Sequence, residues 1–243
     1  MIVLIRKRDL ILCVLVCGFF ACFSAIFLQG INDTAPVFAP RDGAPVTVII
    51  DPGHGGEDGG AVSPSGVEES QINLAVSLRL NALLRFAGQR TQMTRSEDVS
   101  VCDEGLQSVR ERKASDLKNR VAMVNSTENA VLLSIHQNSL PSSTVTHGAQ
   151  VFWNKRPGAK ELAASIQETL NTWINSGNEK RPKSIPQTIY LTKNAVAPSV
   201  IVECGFLSNS AETVKLQESA YQVKIAAAVA AGYLRCLAGE EPA

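Results

Sequence analysis

Between residues 46 and 237, short β-branched runs alternate with segments of helical periodicity, and this alternation restricts the fold more than any other feature. Residues 46–50 (VTVII) suit a strand buried on both faces. Residues 69–86 place Ile72, Val76, Leu80, Leu83 and Leu84 at helical spacing behind an acidic start. Residues 89–94 predict a strand. Residues 109–125, where Arg, Lys, Asp and Glu surround Leu117, Val121 and Val124, predict a surface helix. Further strands are expected at 130–135 (AVLLSI), 148–153, 187–191 and 199–202, with an amphipathic helix at 160–174 and a closing helix at 221–237. Strands alternating with helices imply a single α/β domain whose mostly parallel twisted sheet is flanked by helices. Ligands of such sheets bind beyond the carboxyl ends of the strands.

Ahead of this domain lies an uncharged apolar run at residues 10–28, LILCVLVCGFFACFSAIFL. At ~1.5 Å per residue a helix of this length nearly crosses a ~30 Å hydrocarbon core. Arg6, Lys7 and Arg8 precede it, so the positive-inside rule puts residues 1–9 in the cytoplasm and the domain outside, anchored to the membrane. A long signal peptide is the alternative, although the run is long for one and no clear small-x-small site follows. A lipoprotein site at Cys17 or Cys22 is disfavoured by bulky Val14, Val16 and Phe19 nearby. Residues 29–45, rich in Pro, Ala and Asp, read as a linker, and 238–243 as a tail. Twenty-three basic residues balance twenty-three acidic ones, which argues against a nucleic-acid partner. Cys102, Cys204 and Cys236 are the cysteines outside the apolar run, and no CxxC spacing asks for a disulfide or a thiolate metal site.

The chemistry-bearing residues cluster at the expected strand ends. His54 follows the first strand in the glycine-rich stretch IIDPGHGG (49–56), His136 closes AVLLSI, and Glu203 closes Val200-Ile201-Val202. Glu69 begins the helix after the first strand, on the same rim. Taken singly, each has a bland reading: a turn histidine, a satisfied core histidine, a carboxylate at a helix N-terminus. Taken together they supply two imidazoles and a carboxylate, a common catalytic zinc set with a fourth position for water, and a second carboxylate able to act as general base. Spacing alone leaves open which glutamate has which job. Asp51, Asp58 and Asn138 are candidates to orient the ligands, and His147, in the polar stretch PSSTVTHG, reads as a loop residue. No HExxH pair and no GK[ST] after the glycines are present, so neither a thermolysin-like layout nor a P-loop is expected.

Four blocks, VIIDPGHGGEDGGA, SGVEESQINLAVSLRL, LLSIHQNS and PSVIVECGFLSNSAE, resemble the signatures of the zinc-dependent N-acetylmuramoyl-L-alanine amidases of the amidase-3 type. The resemblance implies cleavage of the amide between N-acetylmuramic acid and L-alanine in bacterial peptidoglycan. It implies Zn2+ held by His54, Glu69 and His136, with Glu203 as the catalytic carboxylate. Ser70 and Gln71 stand where many members have Lys-Asp, and residues 183–191 depart from their arginine-glycine-valine-lysine pattern. That stretch and the apolar N-terminus look more like the spore-cortex amidases of the CwlD type, which implies a place in the spore envelope. Residues 153–185 have room for one helix and a loop, and for no long helix to plug the site, so control is expected from expression, location or a regulatory protein partner. Another zinc-dependent wall hydrolase (a deacetylase or peptidase) and a non-catalytic wall-binding module are the alternative functions.

Overall fold

The computed structural model describes residues 45–186 and 188–239. The expected membrane segment, nearly all of the linker and residues 240–243 lie outside the described residues. Among those described, no helix is long and apolar enough to cross a membrane.

Six strands form one sheet: β1 (Thr47–Pro52), β2 (Arg90–Met93), β3 (Ala130–Asn138), β4 (Gln150–Trp153), β5 (Lys183–Ser184) and β6 (Ser199–Phe206). Their spatial order is β2-β1-β3-β6-β4-β5. Every neighbouring pair is parallel except β4 and β6. The helices are α1 (Glu69–Phe86), α2 (Val109–Ser126), α3 (Ala159–Trp173), α4 (Tyr190–Asn194), α5 (Ser210–Gln217) and α6 (Ser219–Leu237).

Alternation along the strands assigns two faces. Val48, Ile50, Val131, Leu133, Ile135, Val200 and Val202 pack with α1, α3 and α6 in the larger core. Ile49, Ala130 and Leu132 face the other way, against Val124 of α2 and Leu191 of α4. Burial of both faces explains why these strands read as continuous apolar runs.

Most expected elements are present, with three corrections. The strand expected at 187–191 does not form. The edge strand is Lys183–Ser184, pairing with Phe152 and Trp153, and residues 190–194 are helical. Pro186 has no amide to extend the ladder beyond the Ile185 N–H, which donates to the Trp153 carbonyl, and the Ile189 N–H then turns back onto the Pro186 carbonyl. Helix α2 is not purely a surface helix, because Arg120 in its middle is among the largest fully buried side chains. Finally, β3 and β6 run past their expected ends, so that His136 and Glu203 lie inside strands, in register with each other. The short polar helix α5, capped by Asn209, was not expected.

Candidate metal centre

Alternation puts Asp51, Ser134, His136, Ile201 and Glu203 on the sheet face covered by α2 and α4. The β3/β6 register breaks between His136 and Asn138, an irregularity of the kind that re-aims side chains at sheet ends.

His54 occupies the left-handed region at φ 62°, which a non-glycine residue enters only at some cost in backbone strain. Two buried guanidinium groups hold the chain there. Arg120 Nη1 donates to the Pro52 carbonyl at 2.9 Å and Nη2 to the His54 carbonyl at 2.8 Å. Arg95 Nε donates to the Pro52 carbonyl at 3.0 Å, and its Nη2 to the Gly53 carbonyl at 3.1 Å. Three successive carbonyls at the end of β1 are thus fixed by charged donors. The His54 ring is fixed from the side: Nδ1 lies 3.0 Å from Asp58 Oδ2, and Asp58 also pairs with Lys113 Nζ at 2.9 Å. The His54 hydrogen bond is the main reason the Asp58 carboxyl sits well below the usual carboxylate range. Donation from Nδ1 leaves the lone pair on Nε2, which faces Glu69 Oε2 at 3.4 Å.

Glu69 is only 3% exposed. Its Oε1 lies 2.9 Å from His136 Nδ1 and accepts from the Gln137 amide at 3.0 Å and Asn73 Nδ2 at 3.1 Å. Its Oε2 accepts from the Ala61 amide at 2.9 Å. Burial alone would raise its pKa, but the hydrogen bond and charge of His136 outweigh burial and hold it down at about 2. Gln137 Nε2 in turn donates to Asn73 Oδ1 at 3.1 Å and fixes which way that amide faces. The two imidazoles stand edge-on, their centroids 5.1 Å apart.

One ligand atom from each of His54, Glu69 and His136 lies within 4.8 Å of the others. Ligand atoms ~2.0–2.2 Å from a tetrahedral zinc lie roughly 3.3 Å from one another; this donor set has the chemistry of such a site, and its atoms would draw closer around an ion. Two glycines make the approach possible. A Cβ on Gly53 would overlap the His136 ring, and one on Gly60, itself at φ 71°, would sit 2.6 Å from Glu69 Oε2 and 2.7 Å from His54 Cδ2. Gly60→Ala is therefore expected to lower bound metal at least tenfold with little change in far-UV circular dichroism; full metal content would refute the close packing.

Glu203 stands beside His136 on the neighbouring strand. Its Oε2 is buried and has no hydrogen-bond partner among the described residues. Burial pushes its pKa up to about 7 against the pull of the His136 charge. A buried carboxylate poised near neutrality is suited to move a proton. Ligand triad and carboxylate open into one cavity of about 460 Å³, whose far wall is Leu117 of α2 and Ile189 and Tyr190 at the start of α4. No residue between 154 and 182 lines it.

Of the expected orienting residues, Asp58 does hold His54, one of the candidate ligands. Asp51 instead holds Arg120, at 2.6 Å, together with the Ser134 and Thr94 hydroxyls. Asn138 makes no hydrogen bond to the triad; its carbonyl accepts from the Leu207 amide. His147 lies in a loop, its Nδ1 3.0 Å from the Val145 carbonyl. Sequence reasoning missed Arg95, Arg120, Asn73 and Gln137. The available signals were an arginine two residues past β2 and an Asp116–Arg120 pair at i,i+4.

The Amidase_3 family model, described as N-acetylmuramoyl-L-alanine amidase, matches residues 48–235. The germination-specific N-acetylmuramoyl-L-alanine amidase of Bacillus subtilis (strain 168) is 35% identical over 188 residues, covering 77% of this chain and 78% of that one. Among solved structures, the CwlD amidase from Clostridioides difficile in complex with the GerS lipoprotein superimposes with a TM-score of 0.75 at 36% identity, over 79% of this chain and 98% of that one. An N-acetylmuramoyl-L-alanine amidase from Clostridium difficile 630 gives a TM-score of 0.65 at 27% identity, over 78% and 95%.

Proposed function

Because this chain belongs to the Amidase_3 family of N-acetylmuramoyl-L-alanine amidases, we propose that it is a zinc-dependent hydrolase of the muramoyl–L-alanine amide in peptidoglycan, acting in the spore cortex. The observation that carries the reading is the convergence of His54, Glu69 and His136 beside a carboxylate, Glu203, whose Oε2 is buried with no hydrogen-bond partner among the described residues. Similarity to a germination-specific amidase and to CwlD supports the spore-cortex assignment. The CwlD neighbour was solved with a lipoprotein, which supports a protein partner as the regulator of this chain as well. The apolar run 10–28 would keep the enzyme at the outer face of a membrane.

Zinc bound by the triad would polarise the scissile carbonyl and lower the pKa of a water toward ~7. The protein's own groups do the rest. Asp58 holds His54 in the tautomer that presents Nε2. Asn73 and the Gln137 amide hold the Glu69 carboxylate. Glu203 accepts the proton of the attacking water and returns it to the L-alanine nitrogen as the C–N bond breaks. The apolar wall of Leu117, Ile189 and Tyr190 gives the substrate a surface to pack against beside the reacting centre.

The test is release of L-alanine amino termini from intact peptidoglycan, with and without chelator. Release that chelator stops and zinc restores is expected. New amino sugars or new peptide termini without free L-alanine amines would replace the amidase reading with a deacetylase or a peptidase. Binding of peptidoglycan without any cleavage, even with the regulatory partner supplied, would leave a wall-binding module.

A further inference from the structure

A second cavity, of about 190 Å³, lies on the other side of the segment that walls the metal site. Ile189 and Tyr190 face the first cavity, whereas Pro186, Thr192 and Lys193 line the second. The second cavity's charged groups are Lys155, Arg156 and Lys193, and among the described residues no carboxylate lines it. In a chain with equal numbers of acidic and basic residues, that leaves a local excess of positive charge in a concave wall, where the field is focused. The ammonium groups of Lys155 and Lys193 have no partner among the described residues. Arg156 is anchored by one nitrogen only, its Nε donating to the Ala195 carbonyl at 3.2 Å.

The floor is already built. Asn154, 6% exposed, donates from Nδ2 to the Ala197 carbonyl at 3.0 Å and accepts at Oδ1 from the Ser199 amide at 3.0 Å. It thereby ties the end of β4 to the start of β6, so the backbone beneath the exposed Lys155, Arg156 and Lys193 side chains is ordered before a ligand arrives. The volume is below the ~300 Å³ of a drug-sized pocket, and suits one acidic group with a short length of chain.

We propose that this cavity is an oxyanion subsite that grips the polymer away from the bond being cut. The anion is a carboxylate of a stem peptide or a phosphate of a wall-linked polymer. The choice of polymer rests on the peptidoglycan reading above. Carboxylates recur along such a substrate because every uncut peptide ends in one, and a second foothold beside the metal cavity would raise affinity for polymer but not for a single short unit.

The test compares the full chain in detergent with its Lys155→Ala/Lys193→Ala variant. Binding to insoluble peptidoglycan is measured across a salt series, and hydrolysis is measured on a soluble single-unit muramoyl-peptide. The variant is expected to bind polymer about tenfold more weakly at low salt, with the difference vanishing at high salt and the short substrate cut at the wild-type rate. Persistence of the loss on phosphate-stripped peptidoglycan identifies a carboxylate, and its restriction to unstripped material identifies a phosphate; both support the site. Wild-type polymer binding by the variant overturns it, as does an equal loss on the short substrate, which would place the lysines in the metal cavity. If the wild-type chain releases new amino sugars or peptide termini in place of L-alanine amines yet shows lysine-dependent binding, the amidase reading fails and the anion subsite stands.

Discussion

Glu203→Gln is expected to lower kcat by ~10²–10⁴-fold while one metal ion per chain remains bound. The amide keeps the shape of the carboxylate and removes its capacity to take a proton. The triad is untouched, since Asp58 holds His54, Asn73 and the Gln137 amide hold Glu69, and Glu69 holds His136, none of them through a hydrogen bond to Glu203. Stability should not fall, because the wild-type Oε2 is buried without a partner and a neutral group there costs less to bury. Elemental analysis, thermal melting and initial rates on one preparation separate the outcomes. Loss of metal would make Glu203 a ligand, and retained turnover would remove it from the reaction. The wild-type pH profile follows from the same carboxylate. The base form is the active one, so kcat/KM falls as pH drops through its pKa. Burial sets that value near about 7, and a neighbouring cation favours the ionised form, so the acidic limb should lie below pH ~7.

The parts of the fold that were legible in the sequence are those where local pattern and tertiary role coincide. The boundaries of α1 at Glu69 and Phe86 follow from its apolar spacing, and β1 from its β-branched run. Strand ends were less legible. The apolar patterns of β3 and β6 stop before His136 and Glu203, but pairing between the two strands carries both on, because a ladder is held by backbone groups whatever the side chain. Ile189-Tyr190-Leu191 has the composition of a strand, yet Pro186 has already ended the sheet edge, and Leu191 is buried more effectively on a helix against Val124. The four residues proposed for the site could be singled out because each follows an apolar run or begins the helix after one, even though the structure carries β3 and β6 on past His136 and Glu203. Their support was not. Arg120 read as solvent-exposed because helix α2 is dense in charge. Its burial depends on Asp51, 69 positions away in sequence, and no local window contains that pair.

Arg120→Leu is expected to destabilise the domain by about 3–5 kcal/mol, since it leaves Asp51 buried and uncompensated. A domain of this size should then melt roughly 6–20 °C lower. The more informative variant removes both charges. Arg120→Leu with Asp51→Asn deletes the unpaired carboxylate, so much of the lost stability should return, as replacing a whole buried pair is far milder than breaking one. Metal affinity should not return with it. The Pro52 and His54 carbonyls would still lack the donors that Arg120 supplies at 2.9 and 2.8 Å, and His54 would be free to leave its left-handed conformation. A fully stabilised double variant with wild-type zinc affinity, measured by competition with a chelating dye, would show that Arg120 serves the fold alone. A stable double variant that binds zinc at least tenfold more weakly would show that the buried charge is kept to hold the His54 backbone in place. In that case the strain at His54 and the burial of Arg120 are two halves of one device: the conformation that turns Nε2 toward Glu69 is unfavourable for a histidine, and a fully buried guanidinium is what makes it the resting state.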